Sequence, residues 1–240
     1  MRRLAARMVL GLGLVAGTVG FAAPVAAAGD DDARQVLSTF ARCVVREDPA
    51  SASKAVIEDW DGPLLTDSRK DVLAPKCLRD AGFVARLRTG AVSLKSVLAE
   101  ELIRANRGLA PGDLSEIAPL AYRMPTPVVR FDKRGKRLGA DAIEAQERGI
   151  AAKLTAIVAQ QVGECLVRAR PVEALQVVAT EAGSDDELAK LQAIAPALPG
   201  CVPKGKTISF NRASVRGGIA LSYYRLAMAA RGKAWAGEAH

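Results

Sequence analysis

The 240-residue chain carries 34 Lys+Arg against 26 Asp+Glu, half of its residues are hydrophobic, only 4% are aromatic, and its single histidine is the terminal His240. That composition speaks against a His-dependent triad, a His-ligated metal or a histidine general base. With so few aromatics, the core must be built from aliphatic helix faces.

Arg2, Arg3 and Arg7 precede an apolar run from Met8 to Ala23, followed by Pro24 and Val25-Ala26-Ala27-Ala28. A basic start, an apolar middle and an Ala-x-Ala end predict a secretory signal peptide over residues 1–28. Its removal leaves 212 residues (240 less 28). Lys+Arg falls from 34 to 31 against an unchanged 26 acids, a net of +5. No later uncharged apolar run approaches the ~20 residues that span a bilayer, so a soluble, periplasmic or secreted protein is expected. So mild a charge gives no reason to invoke nucleic acid.

Acids at Asp30, Asp31 and Asp32 suit the start of a helix running to about Arg46, with Val36, Phe40 and Val44 at i, i+4 and i+8. Asp48-Pro49 ends that helix, and a short one follows over 50–60 with Pro49 at its entry. A turn at Asp61-Gly62-Pro63 leads to a third helix over 66–73 and then to Pro75 and Cys77. A short extended stretch at 83–87 precedes a helix that Thr89 can cap, bearing Leu94, Leu98 and Leu102 on one face.

The segment 107–140 is different. It holds Pro111, Pro119, Pro125 and Pro127, and Val128-Val129-Arg130-Phe131 reads as a strand. Asp132 to Lys136, with Gly135, can turn it back to form a short β-hairpin. Asp141 and Glu144 then open a long helix, weakened at Gly149 and Gly163, bearing Val158, Val162 and Leu166. Pro171 starts a helix over 172–180. Ser184-Asp185-Asp186-Glu187 fits a capping box for one over 185–195, and Pro199 and Cys201 follow. An extended stretch at 207–210 and an Asn211 cap introduce the last helix, with Val215, Ile219 and Tyr223 on one face. The tail after Arg231 reads as loose.

The second half repeats the first. Cys43-Val44-Val45-Arg46 with Pro49 returns as Cys165-Leu166-Val167-Arg168 with Pro171, and the apolar phases recur at a shift of 121 to 124 residues. The predicted fold is therefore mostly α. Two pseudo-equivalent helical units, 29–106 and 141–231, are joined by a connector, 107–140, and followed by a tail, 232–240. Four cysteines in an exported chain read as two disulfides, and the repeat favours Cys43–Cys77 and Cys165–Cys201. A four-cysteine zinc site is the rival, but the close Cys-x-x-Cys pairs of such sites are missing.

No stretch carries a catalytic motif. Ser51-Ala52-Ser53-Lys54 matches Ser-x-x-Lys, but the partner motifs of penicillin-recognising enzymes are absent. Glu58, Asp59 and Asp61, like Asp185, Asp186 and Glu187, read as solvated helix ends rather than paired catalytic carboxylates. Arg46 and Arg168 form one matched pair and Arg104 and Arg225 another, expected to hydrogen-bond backbone such as helix C-terminal carbonyls. Lys133, Arg134, Lys136 and Arg137 form the densest basic run, a candidate contact for anionic lipid, acidic glycan or an acidic partner.

The layout resembles uncharacterised secreted two-repeat helical proteins of Gram-negative bacteria. The resemblance rests on the two Cys…Pro…Cys units, covering most of 30–104 and 150–230, and implies no activity. The expected role is non-catalytic, an interaction or support function in the cell envelope, with no cofactor and no metal. The runner-up is a binding protein holding a small or anionic ligand between the units, and the third reading is a hydrolase using carboxylates.

Overall fold

A computed structural model describes residues 27–58, 75–80, 91–202 (apart from Arg107, Pro111 and Ser115) and 211–237. The fold is mostly helical. In chain order the helices are α1 (Ala27–Glu47), α2 (Pro49–Ile57), α3 (Pro75–Asp80), α4 (Ala91–Ala105), α5 (Ala140–Ala169), α6 (Pro171–Ala179), α7 (Asp185–Ile194), α8 (Leu198–Cys201) and α9 (Arg212–Gly237). A 3-10 turn, Ala195–Ala197, links α7 to α8. The predicted signal peptide before Ala27, the helix over 66–73, the stretches 83–87 and 207–210, Thr89 and His240 lie outside the described residues.

Local chemistry sets the helix ends. The Asp48 carboxylate accepts the Ser51 N–H at 3.0 Å, and Pro49, whose missing N–H costs nothing in the first turn, opens α2. Pro171 opens α6 in the same way. Ser184 caps α7 through the Glu187 N–H at 3.1 Å, and Asn211 caps α9 through the Ser214 N–H at 2.8 Å. Helix α9 continues to Gly237, where a loose tail was expected after Arg231.

The core is aliphatic. Of the face expected on α1, Phe40 and Val44 are buried and Val36 is half-buried at its edge, while Leu37 and Ala41 widen the buried stripe. In α5, Val162 and Leu166 are buried while Val158 is half-buried. Leu94, Leu98 and Leu102 of α4 and Ile219 and Tyr223 of α9 complete the cluster. Helix α9 packs against α5 on one side and α4 on the other, and α4 packs against α1 and α2. Each fully buried aliphatic side chain contributes about 1.5–3 kcal/mol.

Two disulfides staple the bundle. Cys43 of α1 bonds Cys77 of α3, and Cys165 of α5 bonds Cys201 of α8, with Cα–Cα separations of 5.5 Å in both. The self-closing pairing expected from the repeat is the one present. Intramolecular disulfides of this kind are typical of oxidising, extracytoplasmic compartments.

The expected hairpin is reduced to a single antiparallel bridge, Phe131 to Arg137, and no strand occurs among the described residues. The turn closes through the Asp132 N–H to the Lys136 carbonyl and the Leu138 N–H to the Arg130 carbonyl, both 2.9 Å, with Gly135 at φ 76°. Val128 and Val129 have no second strand to pair with; the Gln146 side chain of α5 takes its place.

Candidate functional site

The connector has two parts with opposite character. The first, from Gly108 to Tyr122, is sewn onto the bundle. Leu109, Leu114 and Ile117 are buried, and Tyr223 donates its hydroxyl to the Leu109 carbonyl at 3.0 Å. Arg168 of α5 donates to the carbonyls of Leu114, Ile117 and Ala118 at 2.9, 3.0 and 2.9 Å. The same guanidinium pairs with Glu164 at 2.8 Å, and Glu164 accepts the Leu120 N–H and the Tyr122 hydroxyl at 3.0 and 2.6 Å. Arg225 of α9 donates to the Ala121 carbonyl at 3.1 Å and stacks over the Tyr122 ring, 5.9 Å from its centre. Hydrogen bonds to charged groups contribute about 1.5–3 kcal/mol each, so this half is held firmly.

Burial, then the hydrogen bond and negative charge of Glu164, push the Tyr122 phenol well above its ordinary range. Burial also raises Tyr223. A neutral phenol favoured by the fold contributes stability that is complete below about pH 10 and is lost as pH rises through the raised native value. In a spectrophotometric titration of the native protein, Tyr122 and Tyr223 are therefore expected to resist ionisation until the fold opens. Tyr122→Phe should flatten the alkaline loss of stability. Early ionisation of Tyr122, read as the change that Tyr122→Phe removes, would contradict the Tyr122–Glu164 contact.

The second part of the connector, together with the first half of α5, is an arm. From Arg123 to Ala156 no residue is fully buried, and most are exposed. The chain runs beside α5, and Gln146 clasps it by accepting the Val129 N–H at 2.9 Å and donating to the Val129 carbonyl at 3.1 Å. Between them is a shallow groove of about 260 Å³ along Pro125, Pro127, Val129, Gly149, Ile150 and Lys153. At the tip, the Asp132 carboxylate accepts the N–H groups of Arg134 and Lys136 at 2.8 and 2.9 Å, which orders the turn. Lys133, Arg134, Lys136 and Arg137 are all exposed there and make no ion pair among the described residues. Along the stretch that leads to the tip, Met124, Val129 and Phe131 are 62%, 50% and 56% exposed.

The other concentration of charge is inside. Arg216 of α9 is fully buried, and its five N–H groups are all used. Nε donates to Glu100 of α4 at 3.0 Å. The terminal nitrogens donate to the carbonyls of Val177, Val178 and Thr180 at 2.7, 2.9 and 2.8 Å and to the Thr180 hydroxyl at 3.1 Å. Those carbonyls form the C-terminal end of α6, where the helix dipole favours a cation. Arg216 also lies 3.3 Å from Glu187, which pairs with Arg212 at 2.9 Å and accepts the Gly183 N–H at 2.7 Å. Glu100 further accepts from Arg34 at 2.6 Å. Arg104 reaches the Thr180 and Val178 carbonyls at 3.1 and 3.4 Å and pairs with Glu101.

The matched arginines thus diverge. Arg104 bonds a helix C-terminus, Arg168 and Arg225 bond connector backbone, and Arg46 is exposed, near Cys43 Sγ and Glu47 only. Glu187, read as a solvated cap residue, is buried, because its carboxylate serves two arginines as well as the turn; Asp185 and Asp186 are exposed as expected. Of Ser51-Ala52-Ser53-Lys54, Ser51 sits in the first turn of α2 with its N–H on Asp48, Ser53 accepts the Tyr224 hydroxyl at 2.8 Å, and Lys54 pairs with Glu58 on an exposed face. Sequence reasoning missed Arg216, Glu100, Arg34 and Arg212. The available signal was Arg216 itself, a charge three residues before Ile219 on an apolar face. Among the described residues no group of three or more His, Cys, Asp or Glu is arranged to hold a metal ion. No family model matches the chain, and no curated protein or solved structure matches it either.

Proposed function

We propose that the chain is an exported, non-catalytic helical protein with an interaction or support role at the cell envelope, built as two copies of one helical unit and acting through the arm. The observation that carries this reading is the contrast between a stapled, charge-locked body and an ordered arm in which no residue is fully buried. Order without burial leaves a surface whose function lies outside the chain.

Duplication is supported by position. Each half has a long helix, a nine-residue helix opened by proline, a disulfide and a final helix. Lys95 and Arg216, 121 apart, each place a cation at the C-terminal end of the proline-opened helix of their own half: Lys95 on the Glu58 carbonyl at 3.1 Å, Arg216 on α6. Ser96 and Gly217, also 121 apart, face each other where α4 meets α9; a Cβ on Gly217 would lie 2.8 Å from Ser96 Oγ. Two equivalent positions in mutual contact are what a local twofold between duplicated units requires.

The alternative, a small anionic ligand held between the units, has less support. The guanidiniums there are already bonded to carboxylates and to the end of α6.

The test is site-specific photo-crosslinking in cells. A photoreactive residue in place of Phe131 should yield a defined adduct, whereas one in place of Leu188, exposed on α7, should not. No adduct of any kind at position 131 sinks the reading.

A further inference from the structure

Resting on that interaction reading, we infer that the arm docks on an anionic lipid surface, with Phe131, Val129 and Met124 entering the interface and Lys133, Arg134, Lys136 and Arg137 meeting headgroup phosphates. Charge is segregated onto the arm. Residues 123–156 hold eight Lys/Arg and four Asp/Glu, a net of +4, against +5 for the whole chain without residues 1–28. Four of the seven exposed large hydrophobics of the described structure fall on the same arm, Met124, Val129, Phe131 and Leu154, with Phe131 next in sequence to the tip. The one acid at the tip, Asp132, is engaged by backbone N–H groups, forms no ion pair with the cations and is outnumbered by them four to one.

Cations beside exposed aromatic and aliphatic side chains suit the bilayer interface, where phosphates and the acyl boundary lie within a few ångströms of each other. The groove along α5 does not include the four tip cations, so the tip is a turn and not a cradle for a small anion. Docking is peripheral. Helix α5 is long and apolar enough to cross a membrane by length and composition, with a mean hydropathy of 1.3 in its most apolar window. However, 39% of that window is buried in the protein, and its Glu164 anchors the connector.

The experiment is co-sedimentation of the full oxidised protein, signal peptide removed, with vesicles of phosphatidylcholine alone or enriched in phosphatidylglycerol. Binding is expected only to the anionic vesicles and should fall steeply with added salt. K133A/R134A/K136A/R137A should lower partitioning by about a hundredfold or more. These side chains are exposed and unpaired, so the variant keeps the native helical circular dichroism. Phe131→Ser, which retains every charge, should lower partitioning by about tenfold. Equal binding to neutral vesicles, no binding, or unchanged binding of the quadruple variant overturns the inference. Should vesicles fail while a photoreactive residue at position 131 captures one protein in cells, the lipid surface is wrong and the interaction reading stands. Failure of both experiments removes both.

Discussion

Arg216→Leu is expected to destabilise the protein by about 3–5 kcal/mol, the cost of removing one partner from a buried charge pair. In a chain of this size that lowers the thermal midpoint by about 10 °C. Arg216 is 0% exposed and Glu100 and Glu187 are each 2% exposed, so water cannot replace the lost guanidinium. Glu100 keeps Arg34, and Glu187 keeps Arg212 and the Gly183 N–H. The Val177 carbonyl keeps the Thr180 hydroxyl at 2.7 Å. The loss therefore arises mainly from two carboxylates left short of positive charge in a low-dielectric site. Arg216→Lys should recover only part of it, because one ammonium with three donors cannot serve acceptors arrayed around a planar fork. The triple variant R216L/E100L/E187L separates charge from shape. With no buried carboxylate left uncompensated it should regain much of the single-variant loss. A triple variant no more stable than Arg216→Leu in denaturant melts would show that packing, and not charge, sets the cost.

What could be read in advance was what local chemistry decides. Proline at the start of α2 and α6, the Ser184 and Asn211 caps and the two cysteine pairs each depend on residues close in sequence or on the repeat itself. Arg216 depends on three distant elements, α4, α6 and α7, brought together only by packing. Glu187 illustrates why the interior charge was hidden: its place three residues after Ser184 has a sufficient local explanation, and nothing nearby points to Arg212 or Arg216. The strand expected at Val128-Val129 failed for the complementary reason. Its β-branched residues favour an extended backbone, but a strand needs a partner, and α5 offers a single glutamine. The basic run at Lys133–Arg137 was legible; that no residue of the surrounding stretch is fully buried was not, since its apolar residues resemble core.

Gly163 reads from sequence as a weak point in a long helix, and Gly218 lies in α9 opposite it. Both are where the two helices touch. A Cβ on Gly218 would lie 2.3 Å from the Ala159 carbonyl oxygen and 2.9 Å from its carbon; one on Gly163 would lie 2.2 Å from the Gly218 carbonyl carbon. These neighbours are backbone, so no rotamer change relieves the clash and the helices must separate. Gly218→Ala and Gly163→Ala should each cost about 3 kcal/mol or more, the upper end of overpacking, despite alanine's better helix propensity. Gly149→Ala and Gly232→Ala, with nothing within 4 Å of the new methyl, isolate the propensity and should stabilise by about 0.5–1 kcal/mol each. Opposite signs for one chemical change in the same two helices would locate the crossing. Separation at Gly218 also moves Arg216, two residues away, off the end of α6. The double variant G218A/R216L should therefore lose less than the sum of its parts. Strict additivity would mean that the helix crossing and the buried charge network are independent, and that α9 does not hold its guanidinium in place through α5.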